Sequence, residues 1–160
     1  MSADDRVLRD NLIEFLRGGS AHIELHAALK DFPPAFYGAK PKGTPYTAWQ
    51  LLEHIRIALH DLLEFCTVPE YVAPEWPKDY WPEAAAPSSP EQWNASLRAI
   101  QEDLAAFEKL AGGPVSNLYA QIPWGDGQTL LREILLAGDH TSYHLGQLVM
   151  LRKQLERSMS

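Results

Sequence analysis

A single cysteine, Cys66, in 160 residues excludes an internal disulfide and the thiolate set of a structural zinc site. Positive charge is also scarce. Fourteen Lys and Arg stand against twenty-one Asp and Glu, a net charge of -7, and the longest basic run is the pair Arg152-Lys153. A phosphate backbone would be repelled more than attracted, so no nucleic acid is expected as a partner. No uninterrupted apolar stretch approaches the roughly 20 residues that cross a bilayer. The opening residues, Met1 to Arg6, lack the charged-then-apolar pattern of a signal peptide, so no membrane partner is expected and the expected location is cytoplasmic. Nothing alternates at period two over a useful length, and no Asn-Gly or Asp-Gly turn joins two strand-like runs. There is no P-loop, glycine fingerprint or Ser-His-Asp arrangement, and Gly125-Asp126-Gly127 reads as a turn before a helix.

What is present fits one ordinary globular domain over 1–160, with 46% hydrophobic and 22% charged residues and enough chain to bury about two-thirds of its unfolded surface. Prolines and glycines cluster at 31–46, 67–90 and 112–127 and leave four helical segments between them. The first, Asp4 to Lys30, sets Leu8, Leu12, Phe15, Ile23 and Leu29 on one side, with Gly18-Gly19 weakening its middle. The second, Thr47 to Cys66, opens on Thr47-Ala48-Trp49-Gln50, a capping box, and continues with Leu51, Leu52, Ile55, Leu59 and Leu62. The third begins at Ser89-Pro90, a cap residue followed by proline at the first helical position, and stops at Gly112-Gly113. The fourth, Gln128 to Glu156, carries Leu130, Leu131, Ile134, Leu145, Leu148 and Val149 on one face. The expected class is all-α, a four-helix bundle. About 22 residues join the second and third helices, enough to run back along a roughly 30 Å helix. A parallel crossover is therefore feasible. This linker holds Trp76-Pro77 and Tyr80-Trp81-Pro82, rings suited to draping over apolar surface.

Six histidines are the informative set. His140 and His144 stand at i and i+4 on one helix face, and by helical angle they border the core. His54 borders the core in the same way on the second helix. Three imidazoles from two helices would make an open His₃ site, three protein ligands plus a free position, which describes a reactive rather than a structural ion. A reference pKa near 6.5 would put proton competition for such a site around pH 6. His22 and His26 form a second i, i+4 pair, placed near the centre of the first segment's apolar stripe. There they read as hydrogen-bonded core residues, His22 being the better pocket candidate. His60 falls on the surface. Glu133 lies two turns from His140 on its own edge, and Asp61 two turns from His54. Each is either a support behind the ligands or a substrate contact, or else a solvated carboxylate at the bundle edge. Cys66, on the apolar side of its helix end, reads as a buried inert thiol.

Trp49-Gln-Leu-Leu-Glu-His54, the Trp81-Pro82 linker, Gly125-Asp-Gly-Gln-Thr-Leu-Leu-Arg-Glu133 and Asp139-His-Thr-Ser-Tyr-His-Leu-Gly-Gln147, in that order, resemble the DinB-like (DinB/YfiT-like) superfamily over nearly the whole chain. The resemblance implies an up-down-down-up bundle and a divalent ion held by His54, His140 and His144. It also implies a tendency to form homodimers, and for some members thiol-dependent S-transfer with low-molecular-weight thiols such as mycothiol or bacillithiol. The expected function is that of a divalent-metal-dependent enzyme with Zn or Ni at the His₃ site, acting on a small-molecule substrate by S-transfer or hydrolysis. The alternative is a non-enzymatic metal- or ligand-binding bundle.

Overall fold

The computed structural model describes residues 2–158; Met1, Met159 and Ser160, which the expected domain 1–160 includes, lie outside the described residues. Five helices follow one another: α1 (Ala3–Arg17), a short α2 (Leu25–Leu29), α3 (Ala48–Thr67), α4 (Pro90–Gly112) and α5 (Leu130–Ser158). Among the described residues the β-structure is one isolated antiparallel bridge, Gln121 to Thr129. The caps are those that the residue types dictate. Thr47 and Gln50 exchange both bonds of a capping box, and the Ser89 hydroxyl accepts from Gln92 N–H ahead of Pro90, each satisfying backbone donors that a helix start leaves orphaned.

Helix directions follow from who meets whom. Ser96 on α4 donates to Glu53 on α3, and His60 on α3 meets Asp103 on α4 seven residues further along both, so α3 and α4 are parallel. His54 meets His140, while Leu51, one turn earlier on α3, shares a cavity with Gln147 and Leu151 further along α5, so α3 and α5 are antiparallel. Arg9 reaches Ala111 and Gly113 at the end of α4, and Leu16 lies beside Gln101 and Leu104 earlier in that helix, so α1 opposes α4. The topology is up-down-down-up, and α3 and α1 each pack against both α4 and α5. Between α3 and α4 the linker of residues 68–89 carries the chain back the full length of a helix.

The core runs through all four long helices and is filled by side chains such as Leu52, Ile55, Ile100, Phe107, Ile134 and Leu148. Arg9 is buried at 7% exposure because its guanidinium binds the carbonyls of Ala111, Gly113 and Ser116 and the Ser116 hydroxyl. It thereby serves the carbonyls that the C-terminal end of α4 leaves without intrahelical partners.

The expected single helix from Asp4 to Lys30 is broken. Gly18 and Gly19 take φ of 70° and 88°, a left-handed conformation cheap only for glycine, and the chain resumes as α2 six residues later. The break changes the first stripe. Leu12 and Leu29 are buried, Leu8 is half-buried, and Phe15 and Ile23 are 38% and 49% exposed. His22 and His26, expected in the core, are exposed, since His22 lies in the bend between the two helices and His26 on α2, whose register no longer continues that of α1.

Candidate metal centre

His54 sits in the middle of α3, and His140 and His144 one turn apart on α5, at the level where these antiparallel helices meet. Each helix is amphipathic, and the imidazoles stand at the margin of its apolar face, so the shafts stay packed while the rings turn to one another. His54 and His144 are 2% and 7% exposed, and His140 is half-buried. One nitrogen from each ring lies within 4.8 Å of the others. The Nε2 atoms of His54 and His140 are 3.1 Å apart, close to the about 3.3 Å that separates ligand atoms of a tetrahedral ion with bonds near 2.05 Å. The cluster could hold a divalent ion.

The outer nitrogens decide which way the rings carry their protons. His54 Nδ1 is 2.8 Å from the Tyr80 carbonyl, an acceptor only, so Nδ1 is the protonated nitrogen and Nε2 presents a lone pair. His144 Nδ1 lies 2.8 Å from Gln147 Oε1, which accepts from the same ring nitrogen in this amide orientation. His54 thus presents a bare Nε2 to the His140 Nε2 at 3.1 Å, two ring nitrogens that a shared proton or a cation can bridge.

The linker forms the third wall. Tyr80 is buried, and its hydroxyl donates to Asp61 at 2.6 Å, alongside Tyr71 at 2.8 Å. Burial and the Asp61 carboxylate raise both phenols above their ordinary pKa, so both stay protonated donors. Asp61 therefore pins the 3₁₀ turn Lys78–Tyr80, whose carbonyl orients His54. The Trp81 ring stacks on His54 at 3.8 Å and on Tyr46 at 3.8 Å from its other side. Of the expected linker aromatics, Tyr80 and Trp81 drape over the bundle, whereas Trp76 is 68% exposed.

Burial lowers the pKa of all three histidines. For His140 the approach of His144 and His54 adds to burial and brings it to about 4. His54 is lowered by burial, against the Tyr80 carbonyl, with His144 adding a little; His144 is lowered by burial against its Gln147 bond. The rings are neutral at pH 7, the form that binds metal, and proton competition shifts below the pH 6 region expected from the reference value.

The other candidates fall elsewhere. Glu133 is 1% exposed and paired with Arg132 at 2.5 Å, so its reading as a solvated edge carboxylate is corrected: the start of α5 is covered by the turn that precedes it and by the end of α3. There it acts on Cys66, whose thiol is pushed up to about 12 by burial first and Glu133 second, an inert thiol near neutral pH. His22 lies on the far side of α5, 3.2 Å from Ser142. His60 is exposed beside Asp103 and Glu64. Reading by helical stripe misses Gln147, although it stands three residues after His144, a spacing at which helical side chains meet. Tyr80 has no such signal, because its contribution is a backbone carbonyl from an irregular linker.

Four long helices in up-down-down-up order with a buried three-histidine cluster between α3 and α5 define a class of helical bundles built around a candidate metal site. A family model of the DinB superfamily matches residues 21–148, and the chain belongs to that superfamily. No curated protein and no solved structure matches it significantly. Among the described residues no helix is long and apolar enough to cross a membrane.

Proposed function

We propose that this protein is a divalent-metal-dependent enzyme that holds Zn or Ni on His54, His140 and His144 and activates a small nucleophile, a low-molecular-weight thiol or water, in S-transfer or hydrolysis. The observation that carries the reading is the tautomer of His54: the Tyr80 carbonyl takes its Nδ1 proton, so its Nε2, 3.1 Å from that of His140, is left as a ligand. Bound there, a divalent ion supplies Lewis acidity that brings the ionisation of a coordinated water or thiol toward neutral pH. The three imidazoles would hold such an ion without contributing charge, so the residues present fit a divalent ion that works with an anionic nucleophile. The chain's own part is to orient the rings and restrict water, through Asp61 holding the Tyr80 turn and Trp81 covering His54.

A cavity of about 200 Å³ lies about one helical turn from the cluster, at the level of Leu51 on α3 and Gln147 on α5. It is lined by Tyr46, Leu51, Gln147, Met150 and Leu151, two of which also touch the site's supports: Tyr46 stacks on Trp81 and Gln147 holds His144. It suits the apolar body of a small electrophile. The second reading, a bundle that binds an ion or ligand without turnover, draws on the flat cover that Trp81 lays over His54.

Elemental analysis of the purified protein, followed by thiol-consumption assays with a panel of low-molecular-weight thiols and electrophiles, tests the proposal. About one ion per chain is expected, lost in His54→Ala, His140→Ala and His144→Ala, each of which should keep its helical far-UV signal. Metal retained stoichiometrically by those variants, or no uptake of Zn or Ni on titration, would refute the ligand set. An ion bound with no turnover of any pair would favour the second reading.

A further inference from the structure

The two glycines of α5 are unlike. A methyl group on Gly138 would run into the Phe15 ring, so the packing of α1 on α5 accounts for that glycine. Gly146 is exposed, an added methyl there would meet nothing within 4 Å, and its φ lies outside the left-handed region. Glycine inside a helix is less stable than alanine because it gives up more backbone freedom. Nothing within the chain offsets that at Gly146. What a bare stretch of helix backbone does offer is close approach by another chain.

The surroundings of Gly146 show what approaches. At about 100° per residue, Leu135, Asp139, Tyr143, Met150 and Lys153 all fall within about 60° of its direction, and all are exposed. Leu135, Tyr143 and Met150 are 45%, 64% and 56% exposed, large apolar side chains in one row on the outside of the bundle. The apolar surface widens toward α1 and α2, with Phe15 against Gly138 and Ile23 beside Val149 and Lys153. Charge is ordered along the row. Asp139 stands seven residues before Gly146 and Lys153 seven after it, each about 10.5 Å away along the axis. Neither has an ion-pair partner among the described residues. An acid and a base at equal distances from a bare point make the face its own complement.

We propose that this face of α5 pairs with the same face of a second copy of the chain, the two helices antiparallel and crossing at Gly146 on a twofold axis. Each copy's Asp139 then stands opposite the other's Lys153, and each Tyr143 opposite the other's Met150, a contact of thioether and ring. The absent side chain lets the two backbones approach at the crossing. The charges select this partner and this direction. A parallel copy would set Asp139 beside Asp139 and Lys153 beside Lys153, and an uncharged apolar surface would leave both charges unmatched. The pairing does not depend on the loading of the histidine cluster.

The test is sedimentation equilibrium of the full chain at low salt. The parent is expected to show a monomer–dimer equilibrium with a Kd of about 10 μM or tighter. Gly146→Glu, which sets two like charges against each other on the twofold, should sediment as a monomer while its melting temperature is kept, since the added side chain meets nothing in its own copy. Asp139→Lys and Lys153→Asp, each of which turns both cross-pairs repulsive, should weaken pairing about tenfold or more. Mixed one to one, those two variants should pair with each other as the parent pairs with itself, because every cross-pair is again acid against base. His54→Ala should pair as the parent does, which separates this interface from the proposed metal function. A parent chain still monomeric at about 100 μM, a Gly146→Glu chain that pairs as tightly as the parent, or charge variants that pair no better with each other than alone would each overturn the proposal.

Discussion

Acidifying the metal-free protein should expose the strain of packing three imidazoles together. His140 has a folded pKa of about 4 against about 6.5 in an unfolded chain. Between those values the unfolded state binds the extra proton, so stability is fully present above about pH 6.5 and is lost as pH falls toward 4. At 1.36 kcal/mol per pH unit the fall is at most about 3 kcal/mol for His140, and His54 and His144, also lowered, act in the same direction. The assay is urea unfolding of chelator-treated protein at pH 7 and pH 4.5, at fixed ionic strength, for the parent and for His140→Ala. Carboxylate titrations are common to both proteins and cancel in the comparison. The parent should lose about 2–3 kcal/mol more than the variant across that interval, equivalent to roughly 5–10 °C in melting temperature for a chain of this size. Equal losses in parent and variant would show that His140 is not held neutral by burial and its neighbours, and the reasoning about the cluster would fail with it.

Two further perturbations probe the supports. Asp61→Ala leaves two tyrosine hydroxyls without their acceptor and frees the turn that orients His54; Zn affinity in a competition titration should fall about tenfold or more, as for other groups that hold a ligand in place, while the far-UV spectrum is kept. Gly138→Ala would drive a methyl group into the Phe15 ring, so thermal unfolding should show a loss of about 1–3 kcal/mol, the cost of overpacking, and an unchanged melting temperature would mean that Phe15 swings away freely.

The helices that the sequence announces most clearly are those whose ends carry chemistry. Thr47 with Gln50 and Ser89 with Pro90 act through local backbone bonds that need no tertiary context, and α3 and α4 begin within a residue of them, as α4 ends at Gly112-Gly113. The three histidines are legible for a related reason: helical angle alone puts them at the border of the core. What local rules do not reach are features set by distant partners. The period of the first segment persists through Gly18-Gly19, but the left-handed pair turns the chain, and His22 and His26 leave the core with it. Glu133 shares a helix edge with His140, yet the covering turn and the end of α3 make it one of the most buried side chains in the molecule. Angle along one helix says nothing about what is laid across it.

The linker shows why the topology and the site belong together. In an up-down-up-down bundle a short turn would join α3 to α4, and the outer side of His54 would face solvent. Because α3 and α4 are parallel here, the chain must run back along the bundle, and it passes over α3 with Tyr80 and Trp81 against His54. The carbonyl that sets the His54 tautomer and the ring that covers it are thus consequences of helix order. The two helices bring the nitrogens to one place, and the crossing segment determines that His54 arrives unprotonated on its inner side.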